Sequence, residues 1–165
     1  MSAFTNQERF TPQSNQELEA AVQVYKNMTT EQQDNYLNQP GWTYGRFSDW
    51  DVSNPNITDM SDLFINCDNF NEDISGWNVS NVTNMSRMFL GCISFNQPLN
   101  TWNVSNVTNM SKMFSHCTSF NQPLNSWNVS NVTNMSGMFQ LCRSFNQPLN
   151  SWDVSNVTNN IQYHL

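Results

Sequence analysis

Cys67, Cys92, Cys117 and Cys142 recur every 25 residues, and four thiols in register allow three chemistries: disulfides, a metal site, or a ladder of buried free thiols. A zinc site needs close pairs such as Cys-x-x-Cys, and neither His116 nor His164 supplies a partner at a suitable spacing. Side chains stacked in parallel at about 4.8 Å, the spacing of paired strands, keep their Cβ atoms roughly that far apart. Disulfides prefer a Cβ separation near ~3.8 Å, so free thiols rank ahead of bridges, and bridges ahead of a metal. Trp77, Trp102, Trp127 and Trp152 repeat at the same interval, with Trp50 ahead of them. Flat indoles can stack on sugar rings, but Trp102 shares a strand face with Val104, which turns both inward as part of a core ladder. Asn-x-Ser/Thr acceptor patterns number eleven between Asn56 and Asn156, with Asn27 a twelfth. Glycans at so many sites would collide, so hydrogen bonding within loops is the preferred role. Asn96, Asn121 and Asn146 are expected to form a ladder across the turns. No Ser-His-Asp, paired-carboxylate or phosphate-loop pattern accompanies these residues. The expectation is a protein that is not an enzyme and holds neither cofactor nor metal.

What positions these residues is a repeat. Val79, Val82, Met85, Met88, Phe89, Cys92, Phe95, Leu99 and Trp102 each return one period later. An earlier unit from Trp50 aligns once Asn54-Pro55 is taken as an insertion, and a last one begins at Trp152 and departs at Asn160. One set of core positions used at every turn predicts a solenoid. Trp127 and Val129 alternate as in a strand, whereas Val132, Met135, Met138, Phe139 and Cys142 follow a helical stripe. Pro148 suits the turn that leads into the next strand. The predicted fold is therefore an α/β solenoid of leucine-rich-repeat-like, right-handed coils of about 25 residues. Strands are expected at 47–52, 74–79, 99–104, 124–129 and 149–154, forming one parallel sheet.

Residues 1–46 are expected to be a helical cap on the solenoid of residues 47–165. Ser14 and Glu17 make a capping box ahead of Leu18, Val22 and Tyr25, and a second helix is predicted from Thr30 as cap to about Leu37. Charge divides along the same line. Residues 1–76 carry twelve acids and three bases, a net of −9, while residues 77–165 carry one acid and three bases, a net of +2. The acidic half argues against a nucleic-acid partner. No run approaches the length of a membrane span, and "MSAFTNQERFTPQ" lacks the regions of a signal peptide. A cytoplasmic or virion-associated location is thus favoured over secretion.

The pattern W-x-V-S-N-V-T-N-M-S-x-M-F-x-x-C-x-S-F-N resembles the bacterial surface protein repeat of about 26 residues, over roughly residues 47–159. That family is a domain of unknown function found in bacterial lipoproteins and surface proteins and in large DNA viruses. It is similar in turn to leucine-rich repeats of bacterial adhesins. The resemblance implies display and binding, so a scaffold for protein–protein interaction ranks first. A structural or self-assembling component, of a virion or filament, and recognition of a periodic ligand such as a glycan follow. The candidate face is the outer side of the predicted sheet: Asn100, Thr101, Asn103 and Ser105, then Asn125, Ser126, Asn128 and Ser130, then Asn150, Ser151, Asp153 and Ser155. Differences between copies gather elsewhere, at Arg87/Lys112/Gly137, Leu90-Gly91/Ser115-His116/Gln140-Leu141 and Ile93/Thr118/Arg143, expected on or after the helix and facing solvent. Self-association through the C-terminal coil is a further expectation, with "NIQYHL" as the competing minimal cap.

Overall fold

The computed structural model describes residues 8–159. The terminal cap expected from Ile161, Tyr163 and Leu165 lies outside them. Helix α1 (Asn15–Lys26) starts at Ser14, whose hydroxyl accepts the Glu17 amide at 3.2 Å. Glu17 reaches back to the amide of Gln13 at 2.7 Å rather than to Ser14, so the predicted box is displaced by one residue. The buried stripe is Leu18, Ala21, Val22 and Tyr25. Helix α2 (Thr30–Asp34) has its cap at Thr29, not Thr30, because Thr29 and Gln32 exchange both bonds of a capping box. It ends before Leu37, and Tyr36–Asn38 tighten into a 3-10 turn. Tyr25 joins the two parts of the molecule: its ring meets Tyr36, Phe47 and Phe70 edge-on at 5.7, 5.3 and 6.0 Å.

Beyond this cap the chain is built from turns, which corrects the α/β solenoid with a parallel sheet. The strand-type pairings among the described residues are isolated parallel bridges, Asp59–Asn84, Asn84–Asn109 and Asn109–Asn134. None lies in the segments expected to be strands, and Phe47–Asp49 is a 3-10 turn. Trp102 is held between two tight turns, with its own amide donating to Leu99 O at 3.0 Å and the Val107 amide donating to Val104 O at 3.0 Å. Too few extended residues remain between them to start a strand. The described residues contain no parallel strands, so the expected right-handed crossovers between strands do not occur among them.

The predicted helix is absent for a different reason. Asp62, Arg87, Lys112 and Gly137 share one position of the repeat, and their φ values are 60, 55, 53 and 62°. Four residues later Asn66, Gly91, His116 and Leu141 are left-handed as well, at 58, 75, 61 and 57°. Single left-handed residues stop a right-handed helix wherever they fall. The result is a ribbon of successive turns, as when the Leu63 amide donates to Met60 O and the Ile65 amide to Asp62 O. The alternate amides of the ribbon point to the next repeat. Met60, Asp62, Phe64 and Asn66 donate to the carbonyls of Asn84, Ser86, Met88 and Leu90 at 2.7 to 3.1 Å. The same four bonds recur from Met85, Arg87, Phe89 and Gly91, and again from Met110, Lys112, Phe114 and His116. In these three ribbons each amide aimed at the next repeat thus has a partner without a helix or a sheet.

The core is a set of parallel ladders. Trp50, Trp77, Trp102, Trp127 and Trp152 are buried, and Trp102, Trp127 and Trp152 stack one on another at 6.5 and 6.4 Å with nearly parallel rings. Phe64, Phe89, Phe114 and Phe139 stack at 5.6 to 5.7 Å. The cysteines are all buried and free.

Candidate functional site

The thiols have a structural role. Cys92 Sγ donates to Phe64 O at 3.0 Å and Cys117 Sγ to Phe89 O at 2.9 Å, and Cys142 Sγ repeats the bond to Phe114 O. Each bond ties a repeat to the one before it. Burial pushes Cys67 up to about 11 and Cys142 up to about 12, and drives Cys92 and Cys117 further in the same direction. Protonated thiols of this kind are poor nucleophiles and poor metal ligands. Among the described residues no group of three or more His, Cys, Asp or Glu side chains is placed to hold a metal ion.

The indoles are likewise connectors. Trp77, Trp102, Trp127 and Trp152 donate through Nε1 to the carbonyls of Phe47, Ile74, Leu99 and Leu124 at 2.8 to 2.9 Å. Asparagines form the expected ladder, with Asn121 N donating to Asn96 Oδ1 at 3.0 Å and Asn146 N to Asn121 Oδ1 at 2.9 Å.

The Asn/Ser/Thr residues lie at the surface in 25-residue register, on turns rather than on a sheet. Much of their bonding capacity is spent within the molecule. Asn103, Asn128 and Asp153 each accept the amide of Ser105, Ser130 or Ser155 two residues on. These are Asx turns, and the Ser155 hydroxyl, together with its amide, holds the Asp153 carboxyl below its ordinary range. Thr101 donates to Ser75 O, Ser126 bonds to Asn100, and Ser151 donates to Asn125 O. Asn150 has no inter-repeat bond of this kind among the described residues.

The positions that differ between copies occupy a second face, formed by the ribbon. Arg87, Lys112, His116, Ile93, Leu141 and Arg143 are exposed there, with Ile93 at 44% and Leu141 at 39% exposure. Ser115 departs from the expectation of solvent exposure: it is 1% exposed and bonds His116 Nδ1 at 2.9 Å. Arg87 crosses to Asp62 of the preceding repeat, with N–O distances of 2.8 and 2.9 Å. The left-handed backbone beneath this face went unnoticed in the sequence. Its signal was Gly91 in one copy and Gly137 in another, at two different positions of the repeat, with Asp and Asn at the equivalent places in the first copy.

A third feature was not foreseen. Between α1 and the first ribbon lie two adjoining clefts of about 320 and 360 Å³, which share Gln23, Lys26 and Ile65. At the start of α1, Asn15 Oδ1 accepts the amides of Thr58 and Asp59 at 3.1 and 3.2 Å. In the next repeat the equivalent amides, of Thr83 and Asn84, donate to Thr58 O, so one side-chain oxygen stands in for a carbonyl of a preceding repeat.

A family model described as "Mycoplasma protein of unknown function, DUF285" matches residues 23–132 and again 101–164. The chain belongs to the DUF285 family. It is thus a bacterial repeat-family domain of unknown function, and the DUF285 match begins inside α1 and takes in the stacked turns. Comparison with curated proteins and with solved structures finds no match for the chain. No helix among the described residues is long and apolar enough to cross a membrane.

Proposed function

We propose that the protein is a non-catalytic scaffold for protein–protein interaction, of bacterial-surface type, and that it binds its partner through the ribbon face. One observation supports this reading: of the side chains that differ between otherwise repeated units, Arg87, Ile93, Lys112, His116, Leu141 and Arg143 are exposed along the ribbon. The backbone under them is fixed in register by repeat-to-repeat hydrogen bonds. Arg87, Lys112 and Arg143 bring charge to that face, and Ile93 and Leu141 bring exposed apolar surface. Such a mixture of arginine and aliphatic contact on a rigid support suits recognition of a folded partner. The Asn/Ser/Thr face is the weaker candidate, because Ser126, Thr101 and Ser151 already bond the neighbouring repeat.

Site-specific photo-crosslinking tests the choice of face. A crosslinking residue at Ile93 or Arg143 is expected to capture a partner, and one at Asn103 or Asn128 to capture none. Adducts confined to the second pair would overturn the choice. Adducts between two copies of the chain would replace the scaffold reading with self-assembly.

A further inference from the structure

We infer that the cleft between α1 and the first ribbon is a second binding site, which takes an extended, lysine- or arginine-bearing peptide segment of a protein partner. The inference starts from what the repeats do for one another. Asn84, Ser86, Met88 and Leu90 present four carbonyls toward the preceding repeat, and each accepts one of its amides. The two following ribbons do the same with Asn109, Ser111, Met113 and Ser115, and with Asn134, Ser136, Met138 and Gln140. In the first ribbon the equivalent residues are Asp59, Ser61, Leu63 and Ile65, and what precedes it is α1.

A helix spends its own amides internally, so α1 has none to offer along its length. Among the described residues no donor reaches the carbonyls of Ser61, Leu63 or Ile65. These three residues line the clefts, with Glu19, Gln23 and Lys26 of α1 opposite them. The site is therefore a row of acceptors at alternate residues, which elsewhere in this molecule is always matched by alternate backbone donors. An extended peptide offers the same match, one inward amide every second residue.

Charge selects among such peptides. Glu19 and Asp68 line the clefts against one lysine, Lys26, while Asp62 is already paired with Arg87, and the half of the chain that contains these carboxylates carries a net of −9. Cationic side chains on the outward positions of the peptide would meet these carboxylates, while an acidic peptide would be repelled.

The test uses the full chain, ¹⁵N-labelled, and a blocked eight-residue peptide of alternating lysine and threonine. Titration is expected to shift amide signals of residues 19–26 and 61–69 and to leave the later ribbons unchanged. Two further peptides carry N-methyl groups on one or the other alternate set of residues. One is expected to bind like the parent, and the other roughly tenfold or more weakly, as befits the loss of several backbone bonds. Replacing lysine by glutamate should abolish binding. The double variant Glu19→Lys/Asp68→Lys changes two exposed residues and should weaken the parent peptide by about tenfold with an unchanged circular dichroism spectrum. No shifts at the cleft would overturn the inference, and so would equal affinity of the two methylated peptides, which leaves charge as the sole attraction.

Discussion

Each repeat has two halves, held to their neighbours in opposite ways. In residues 102–109 side chains make most of the connection: Trp102 Nε1 reaches Ile74 O, Asn106 Nδ2 reaches Ser80 O, and Thr108 Oγ1 reaches Thr83 O beside the amides of Thr108 and Asn109. In residues 110–117 the backbone makes most of it, through the amides of Met110, Lys112, Phe114 and His116. The first half reads Trp-Asn-Val-Ser-Asn-Val-Thr-Asn identically at 77–84, 102–109 and 127–134, since replacing a connector breaks a bond. The second half holds Arg87, Lys112 or Gly137 at one place, since an N–H is the same in all three. Where the backbone carries the load, side chains are free to vary.

The largest expected effect separates the halves by their titration. The ribbon half holds the buried thiols, with Cys67 pushed up to about 11 and Cys142 to about 12. An unfolded thiol ionises above about 8.5, while the folded one keeps its proton. The stability they contribute is therefore intact below about pH 8.5 and is lost as pH rises through the folded values, by about 1.4 kcal/mol per thiol per pH unit. Four thiols together would lower stability by about 5 kcal/mol per unit, enough to unfold a domain before pH 11. Urea midpoints between pH 8 and 11 check this. Cys92→Ala should flatten the slope by about a quarter, and Trp102→Phe should leave it unchanged. Tyr36, raised by burial and by nearby Glu72 to about 12, adds to the slope only at its upper end. With all four cysteines free, a reductant should not move Tm.

Trp127 measures the other half. It stacks between Trp102 and Trp152 and donates to Leu99 O at 2.8 Å. Trp127→Ala should cost about 3–5 kcal/mol in urea denaturation through the cavity it leaves. Trp127→Phe retains most of the packing and leaves Leu99 O with the Trp102 amide alone, at about 0.5–1.5 kcal/mol for the one lost bond. If Phe cost as much as Ala, packing volume rather than the indole bond would be the connector.

Next in size is the left-handed position. Lys112 holds φ 53° and bonds through its amide, so Lys112→Gly should be neutral or stabilise by up to about 1 kcal/mol. Gly137→Val places a branched residue at φ 62°, where a Cβ would stand 3.2 Å from Lys112 Cγ, and should cost about 1–2 kcal/mol. Equal tolerance of valine and glycine would mean that the ribbon gives up its left-handed turns readily.

The repeat length, the buried set and helix α1 were legible because burial follows periodicity. The Val132–Met135–Met138–Phe139–Cys142 stripe does turn inward. Its spacing of three and four residues fits a helix, but it fits equally a chain of turns reset by a left-handed residue at every fourth position. Hydrophobic period reports which side chains are inside and is blind to the hand of the backbone between them. Gly91 and Gly137 carried that information, with Asp62 and Asn66 beside them in the first copy, and each glycine appears in one copy alone. The strand reading of Leu124, Trp127 and Val129 failed similarly: all three are buried, yet a tight turn from Leu124 to Trp127 puts them there. The candidate face was legible as exposed polar residues, but not as donors and acceptors already committed to neighbouring repeats.

The smallest expected effect tests whether a surface asparagine matters by its type or by where its bond leads. Asn121 Oδ1 accepts from the Asn146 amide at 2.9 Å and the Gln147 side chain at 3.1 Å, both in the next repeat. Its own amide donates to Asn96 Oδ1 at 3.0 Å, in the preceding one. Asn128 Oδ1 accepts only the Ser130 amide, at 3.1 Å, inside its own turn. Asn121→Ala removes a link between repeats whose partners have to find water together, and should cost about 1 kcal/mol. Asn128→Ala releases one exposed amide to solvent, and should cost about 0.5 kcal/mol or less. Because stacked units are stabilised by their interfaces, the first change should also lower cooperativity, seen as a smaller denaturant slope, while the second leaves it alone. Equal losses with equal slopes would show that the asparagine ladder is local turn chemistry repeated, and that the ribbon amides and the indoles alone hold the stack together.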